Sequence, residues 1–152
     1  MLLAADIGNT NVKLGLFKGR DLVTVWRLNS DARRTADDWG PALLNLLQHR
    51  ELTPSDIDGV ILSSVVPTMT KTFEDVSARY CRQKPFVVSA AADLGVRVYV
   101  DSPNEVGVDR IVNAAAGYKL YGGPAIVVDL GTATKFDAVT ADGDFVGGAI
   151  SA

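Results

Sequence analysis

Residues 3–17, LAADIGNTNVKLGLF, and residues 126–139, IVVDLGTATKFDAV, follow one plan. Each has a short apolar strand ending in Asp, one apolar residue, a Gly, a small polar run and a second strand. The first copy supplies Asp6, Gly8 and the run Asn9-Thr10-Asn11; the second supplies Asp129, Gly131 and Thr132-Ala133-Thr134. A Gly-containing turn, at Gly19 and at Gly143, and a third strand follow in both. Internal duplication constrains a fold more than any local propensity, because both copies must fold by the same rules.

The repeated unit has a specific chemistry. Gly permits a tight turn and close approach of the backbone to a ligand, and small hydroxyl and amide groups supply hydrogen bonds. A carboxylate at the strand exit repels a phosphate unless a hard cation such as Mg2+ bridges the two. A single Asp-x-Gly-x-Thr is more often a plain turn. Two copies at matching strand–turn–strand positions favour phosphate binding, with a nucleoside triphosphate held from both sides of a cleft.

Hydrophobic periodicity places the other elements. Strands are expected at 2–6, 12–17 and 22–28, a three-strand meander. A helix is expected over 36–49, with Trp39, Leu43, Leu46 and Leu47 at helical spacing. VILSSVV at 60–66 reads as a buried strand, followed by a helix over 68–81 with Met69, Phe73, Val76 and Tyr80 on one face. Short strands follow at 85–89 and 96–100, then a helix over 108–121 stopped by Gly122, then three closing strands. Antiparallel strands first and strand–helix alternation afterwards specify an α/β fold.

Composition narrows the partners. The chain has 152 residues, 47% of them hydrophobic, and a net charge of −3 with no basic stripe, which argues against nucleic acid. One cysteine, Cys81, excludes an internal disulfide and is expected in or near the core. No apolar run approaches the length of a membrane span, and MLLAA is too short for a signal-peptide core, so a cytoplasmic setting without membrane association is expected.

On these residues the chain resembles the actin, sugar kinase and Hsp70-type superfamily, and within it the type III pantothenate kinases. DIGNTNVKLGLF resembles that family's opening signature, and YVDSPNEVGVDRIVNAAAGY at 99–118 its Pro-x-x-x-Gly-x-Asp-Arg motif. VVDLGTATKFDAV resembles the second phosphate motif, and GGAIS at 147–151 the start of its Gly-Gly-x-Ile segment. The resemblance implies a ribonuclease H-like (actin-like ATPase) fold: one complete lobe over 1–107, then a linking helix and the opening β-strands of a duplicated second lobe over 108–152. It also implies ATP-dependent phosphorylation of pantothenate to 4′-phosphopantothenate, the first step of coenzyme A synthesis, by a homodimer using ATP, Mg2+ and a monovalent cation (K+ or NH4+).

The roles it implies are as follows. Asp6 stands by the ATP phosphates and their Mg2+, with Gly8, Asn9, Thr10 and Lys13 around the first phosphate turn. Gly131, Thr132 and Thr134 form the second. Asp109 is the general base towards the pantothenate hydroxyl, with Tyr99, Gly107, Val108 and Arg110 about the pantothenate. Asp129 binds the monovalent cation. Read without the family, the motif alone favours Asp109 as a helix N-terminal cap paired with Arg110 over a catalytic base, since an anionic carboxylate is stabilised there.

Two departures stand out. Lys135 replaces a small hydroxyl residue and either adds a phosphate contact or points to solvent. Only 23 residues follow Asp129, so the second lobe is expected to be truncated, with its strands but not its helices. A non-catalytic accessory or regulatory relative, or an inactive fragment, is the alternative to the enzyme. His49 is expected as a helix C-terminal residue, Trp26 and Trp39 as core, and Asp142-Gly143-Asp144 as a hairpin turn. Asp137 is expected either to support the site from behind or to lie solvated on its strand.

Overall fold

The structure is a computed structural model that describes residues 1–151. By contact the chain divides into two units, Met1–Val88 and Ser89–Ala152. The division precedes the expected boundary at 107 because Arg97–Val98 pairs with a strand of the second sheet.

Alternation builds the first unit. Strand β1 (Leu2–Ile7) buries Leu3, Ala5 and Ile7, and β2 (Asn11–Lys18) buries Val12, Leu14 and Leu16. Residues two apart share a face of the pleat, so both strands present one apolar side to the core. Strand β3 (Asp21–Asn29) completes the antiparallel meander. Strand β4 (Gly59–Ser64) then pairs parallel to β1, and β5 (Phe86–Val87) parallel to β4, giving the order β3-β2-β1-β4-β5. Three antiparallel strands followed by two parallel ones form the ribonuclease H-like sheet, as expected.

Two helices cover the apolar face. Helix α1 (Ala36–Gln48) starts at Thr35, whose N–H and hydroxyl both donate to the Asp38 carboxylate, at 2.8 and 2.9 Å. Helix α2 (Pro67–Val76) starts on Pro67, whose fixed φ suits a first helical position and whose missing N–H would have no partner there. The strand expected to reach residue 66 therefore stops at Ser64. The helix expected to run to Cys81 widens at Ser77–Cys81 into a π-helical turn and ends on Arg82 at φ 55°. Helix α1 lies close to the π-helical turn at Gly40, where a Cβ would meet the Tyr80 ring at 2.2 Å. Trp39 packs on Phe73 with ring centroids 5.1 Å apart. Trp39 and Cys81 are buried as expected, Trp26 is half-buried against the same core, and His49 caps the end of α1.

The second unit repeats the meander. Strands β7 (Ala125–Leu130), β8 (Thr134–Val139) and β9 (Asp144–Ser151) are antiparallel, and β6 (Arg97–Val98) joins β9 in parallel, giving β6-β9-β8-β7. Two residues each of β5 and β6 find ladder partners, so both are shorter than the five-residue strands expected. The β8–β9 connection is the expected hairpin turn, with Gly143 at φ +83° and the Asp144 N–H bonded to the Thr140 hydroxyl. Helix α3 (Val108–Tyr121) packs on β7 and β8, burying Ile111 and Ala114 with Val139 and Phe145. The opposite side of β7 carries Ile126, Val128 and Leu130, all exposed, and Phe136 stands across from Val128.

Candidate functional site

Each unit presents one Asp hairpin. In the first, Gly8 N–H donates to the Asn11 carbonyl at 3.0 Å and closes the turn. Ser30 pins that turn from the end of β3: its hydroxyl donates to the Gly8 carbonyl at 2.5 Å and its N–H to the Thr10 carbonyl at 2.9 Å. Asp6 lies opposite Lys13 in the β1–β2 ladder, and their side chains meet at 3.2 Å, both half-exposed. Asn9 is exposed at the tip.

In the second hairpin, Gly131 N–H donates to the Ala133 carbonyl at 3.3 Å, and Thr132 shares this turn. Asp129 lies opposite Lys135 in the β7–β8 ladder, as Asp6 lies opposite Lys13. The duplication therefore extends to a cross-strand lysine. The sequence hides it, because the Asp–Lys separation is seven residues in one copy and six in the other.

Around Lys135 the second unit assembles a charged cluster. Its Nζ lies 2.5 Å from Asp109 Oδ2 and 3.4 Å from Asp129 Oδ2. Asn113, one helical turn after Asp109, brings Nδ2 to 3.5 Å from the same Asp129 oxygen. Two carboxylates thus share one ammonium in a partly buried setting. Burial, the largest single influence on Lys135, disfavours its charge, but hydrogen bonds and charge from Asp109, then Asp129, outweigh it and raise its pKa. Lys135 neither contacts solvent alone nor hangs free.

Asp109 occupies the first turn of α3, after Gly107 as N-cap and Val108 as first helical residue. Its Oδ1 accepts the Arg110 N–H at 2.9 Å. The Arg110 guanidinium turns elsewhere. Its Nε donates to Asp137 Oδ1 at 2.8 Å, and its plane lies over the Phe145 ring at 5.8 Å. Asp137 is 1% exposed, so it is no solvated strand position but the buried counter-ion that ties α3 to β8. Gly148 makes room for this pair: a Cβ there would meet the Phe136 carbonyl oxygen at 1.8 Å and Arg110 Nη2 at 2.9 Å. Tyr99 is 77% exposed just beyond β6, its N–H bonded to the Phe145 carbonyl.

Of the residues singled out from sequence, Asp109 and Asp129 are brought together, whereas Asp6, Gly8, Asn9, Thr10 and Lys13 form their own cluster in the first unit. Sequence reasoning missed Lys135 as the bridge, Asn113 as its neighbour and the Arg110–Asp137 pair. The four-residue spacing of Asp109 and Asn113 on one helix face was the available signal.

Among the described residues no group of three or more His, Cys, Asp and Glu side chains converges. Asp6, a single half-exposed carboxylate, suits Mg2+ held mainly by water and phosphate oxygens. Asp129 does not suit a monovalent cation, because the partly buried ammonium beside it is held by Asp109 as well, and an added ion would meet that like charge between the two carboxylates.

A model of the type III pantothenate kinase family matches residues 2–152. Curated relatives carrying that name include one from Dehalococcoides mccartyi (strain ATCC BAA-2266), 50% identical over 150 residues covering 99% of this chain and 58% of the relative. Another, from Moorella thermoacetica, is 47% identical over 151 residues covering 99% of this chain and 59% of the relative. The chain thus spans less than two thirds of the length of these relatives. Among solved structures, a proposed N-acetylglucosamine kinase from Porphyromonas gingivalis aligns over 98% of this chain and 47% of its own, with TM-score 0.55 and 14% identity. A proposed 2-dehydro-3-deoxygalactonokinase from Sinorhizobium meliloti aligns over 99% and 53%, with TM-score 0.52 and 14% identity. These distant likenesses concern the fold alone. The family match over nearly the whole chain and the level of identity together make this chain a member of the type III pantothenate kinase family.

Proposed function

We propose that this chain is the part of an ATP-dependent pantothenate kinase that carries the general base and two phosphate hairpins. The observation that carries the reading is Asp109, an ionisable group at a helix N-terminus with one oxygen on the Arg110 N–H and the other on the Lys135 ammonium. Family membership supplies the substrates.

Asp109 Oδ2 accepts the proton of the pantothenate primary hydroxyl as that oxygen attacks the γ-phosphorus of ATP; the bond to the β–γ bridging oxygen breaks and ADP leaves. Gly107, Val108 and Arg110 set the entry of α3, and Arg110 acts by anchoring that entry through Asp137. Tyr99 and the first turn of α3 line the pantothenate side. The turns at Gly8–Thr10 and Gly131–Thr134 offer backbone N–H and hydroxyl groups to phosphate oxygens. Lys13 adds positive charge beside Asp6. Asp6 would hold the Mg2+ that accompanies the nucleotide, and that ion would supply the remaining charge neutralisation. The working protein is a homodimer in the cytoplasm, without nucleic acid or membrane partners.

The test is phosphorylation of radiolabelled pantothenate by the intact gene product with ATP and Mg2+. Turnover is expected. Asp109→Asn keeps the shape and the hydrogen bond from the Arg110 N–H but cannot take the proton, and is expected to lower kcat by about 10²–10⁴ with an unchanged circular dichroism spectrum. Wild-type turnover in that variant removes Asp109 from the base role, and a folded wild type that binds ATP without turnover supports the non-catalytic alternative.

A further inference from the structure

We propose that the Lys135 ammonium is the monovalent cation of this site built into the chain, which sits between Asp109 and Asp129, fixes the Asp109 carboxylate and makes an added K+ or NH4+ ion unnecessary. The inference takes from the kinase reading only what the fixed carboxylate does; the placement of the charge stands without it.

Geometry supports it first. Lys135 Nζ contacts both carboxylates, at 2.5 and 3.4 Å. An ammonium group and a K+ ion carry the same charge and are of similar size, so an ion placed between Asp109 and Asp129 would overlap and repel the Lys135 ammonium that already fills that gap. Charge counting supports it next. The other cation near Asp109 is Arg110, and its guanidinium is committed to the buried Asp137. Without Lys135, Asp109 and Asp129 would face each other with no positive charge between them, an arrangement that like-charge repulsion disfavours.

The strand pairing explains why the cation stays in place. Lys135 is fixed opposite Asp129 by the β7–β8 ladder, so its ammonium is delivered without the loss of translational freedom that a diffusing ion undergoes. The equivalent lysine of the first hairpin sharpens the contrast. Lys13 also faces its aspartate across the ladder, yet that pair is half-exposed and, among the described residues, no second carboxylate contacts Lys13. Lys135 and Asp109 are each only 21% exposed. A charge in that setting is screened little by salt and holds its partners more firmly. Lys135 is thus a positioning residue, acting on the reaction through Asp109.

The experiment uses the intact gene product in tetramethylammonium chloride, a cation too large for the gap, exchanged for KCl or NH4Cl at constant ionic strength of about 0.1 M. Phosphoryl transfer to pantothenate and the thermal midpoint are both measured for wild type, Lys135→Thr and Lys135→Met. Wild-type turnover and midpoint are expected to be the same in all three salts. Lys135→Thr, which opens an ion-sized space between two carboxylates, should lose about tenfold or more in kcat in tetramethylammonium, and NH4+ or K+ should restore most of it and raise the midpoint. Lys135→Met fills the space without charge and should be neither active nor rescued. Activation of wild type by about tenfold or more with K+ or NH4+ overturns the inference, as does Lys135→Thr with full turnover in tetramethylammonium. If Lys135→Thr does not fold, the wild-type salt series decides. If wild type transfers no phosphoryl group in any salt, the kinase reading fails, and the midpoints decide the placement of the cation: no NH4+ effect on Lys135→Thr overturns it.

Discussion

At the scale of single residues, the same side-chain types do different work according to what surrounds them. Asp6 is a half-exposed strand-end carboxylate beside one lysine, whereas Asp137 is sealed beneath α3 and exists only as the counter-ion of Arg110. Cys81 shows burial acting alone. It lies in the π-helical turn after α2, and desolvation pushes its thiol from the ordinary 9.0 up to about 11. At pH 8 about one molecule in a thousand then carries the thiolate, so a thiol-reactive dye should label the native protein very slowly and the urea-unfolded protein at once. Because the folded pKa is raised, the favourable contribution of Cys81 is complete below pH 9 and fades as pH rises towards 11. Cys81→Ser should flatten that part of the stability profile. Rapid labelling of the native state would show the thiol to be accessible.

At the scale of elements, the entry of α3 depends on one buried ion pair. Asp137→Ala leaves the Arg110 guanidinium buried without its carboxylate, and such orphaned charges cost about 3–5 kcal/mol. Urea unfolding of the second unit should show a loss of that size. The double variant Asp137→Ala/Arg110→Met should recover part of it, since removing both charges avoids the orphan. An equal or larger loss in the double variant would mean that packing, not charge, holds the helix. Asp109 rides on the same first turn, so the single variant should also disturb the Asp109–Lys135 contact. The hairpins make the complementary point: a one-residue difference in loop length shifts the lysine in sequence yet leaves it opposite the aspartate.

At the scale of the whole chain, the two sheets are finished to different degrees. The first buries its apolar face under α1 and α2. The second has α3 on one side, while Ile126, Val128, Leu130 and Phe136 stand exposed on the other, with Leu130 at 80%. Contiguous apolar faces of this kind drive association. Sedimentation of the 152-residue chain should therefore show concentration-dependent self-association, and Val128→Lys with Leu130→Lys should reduce it without loss of helix or strand content. A chain that stays monomeric at all concentrations would contradict this.

What the sequence determined alone was whatever depends on local order. The period of two in β1 and β2, the helical spacing of Trp39, Leu43 and Leu47 and the duplicated Asp-x-Gly turn were all legible, because each is set by neighbours a few residues apart. Asp109 and Asp129 were also legible as candidates, through the motifs around them. The tertiary structure decided what these groups meet. Only strand register places Lys135 across from Asp129, and only the docking of α3 on β7 and β8 brings Asp109 to the same ammonium and sends Arg110 inward to Asp137. Residues separated by 26 and 27 positions become partners there. Side-chain periodicity records which face a residue occupies but not which distant charge shares it, so the bridging role of Lys135 emerged only once the chain was folded.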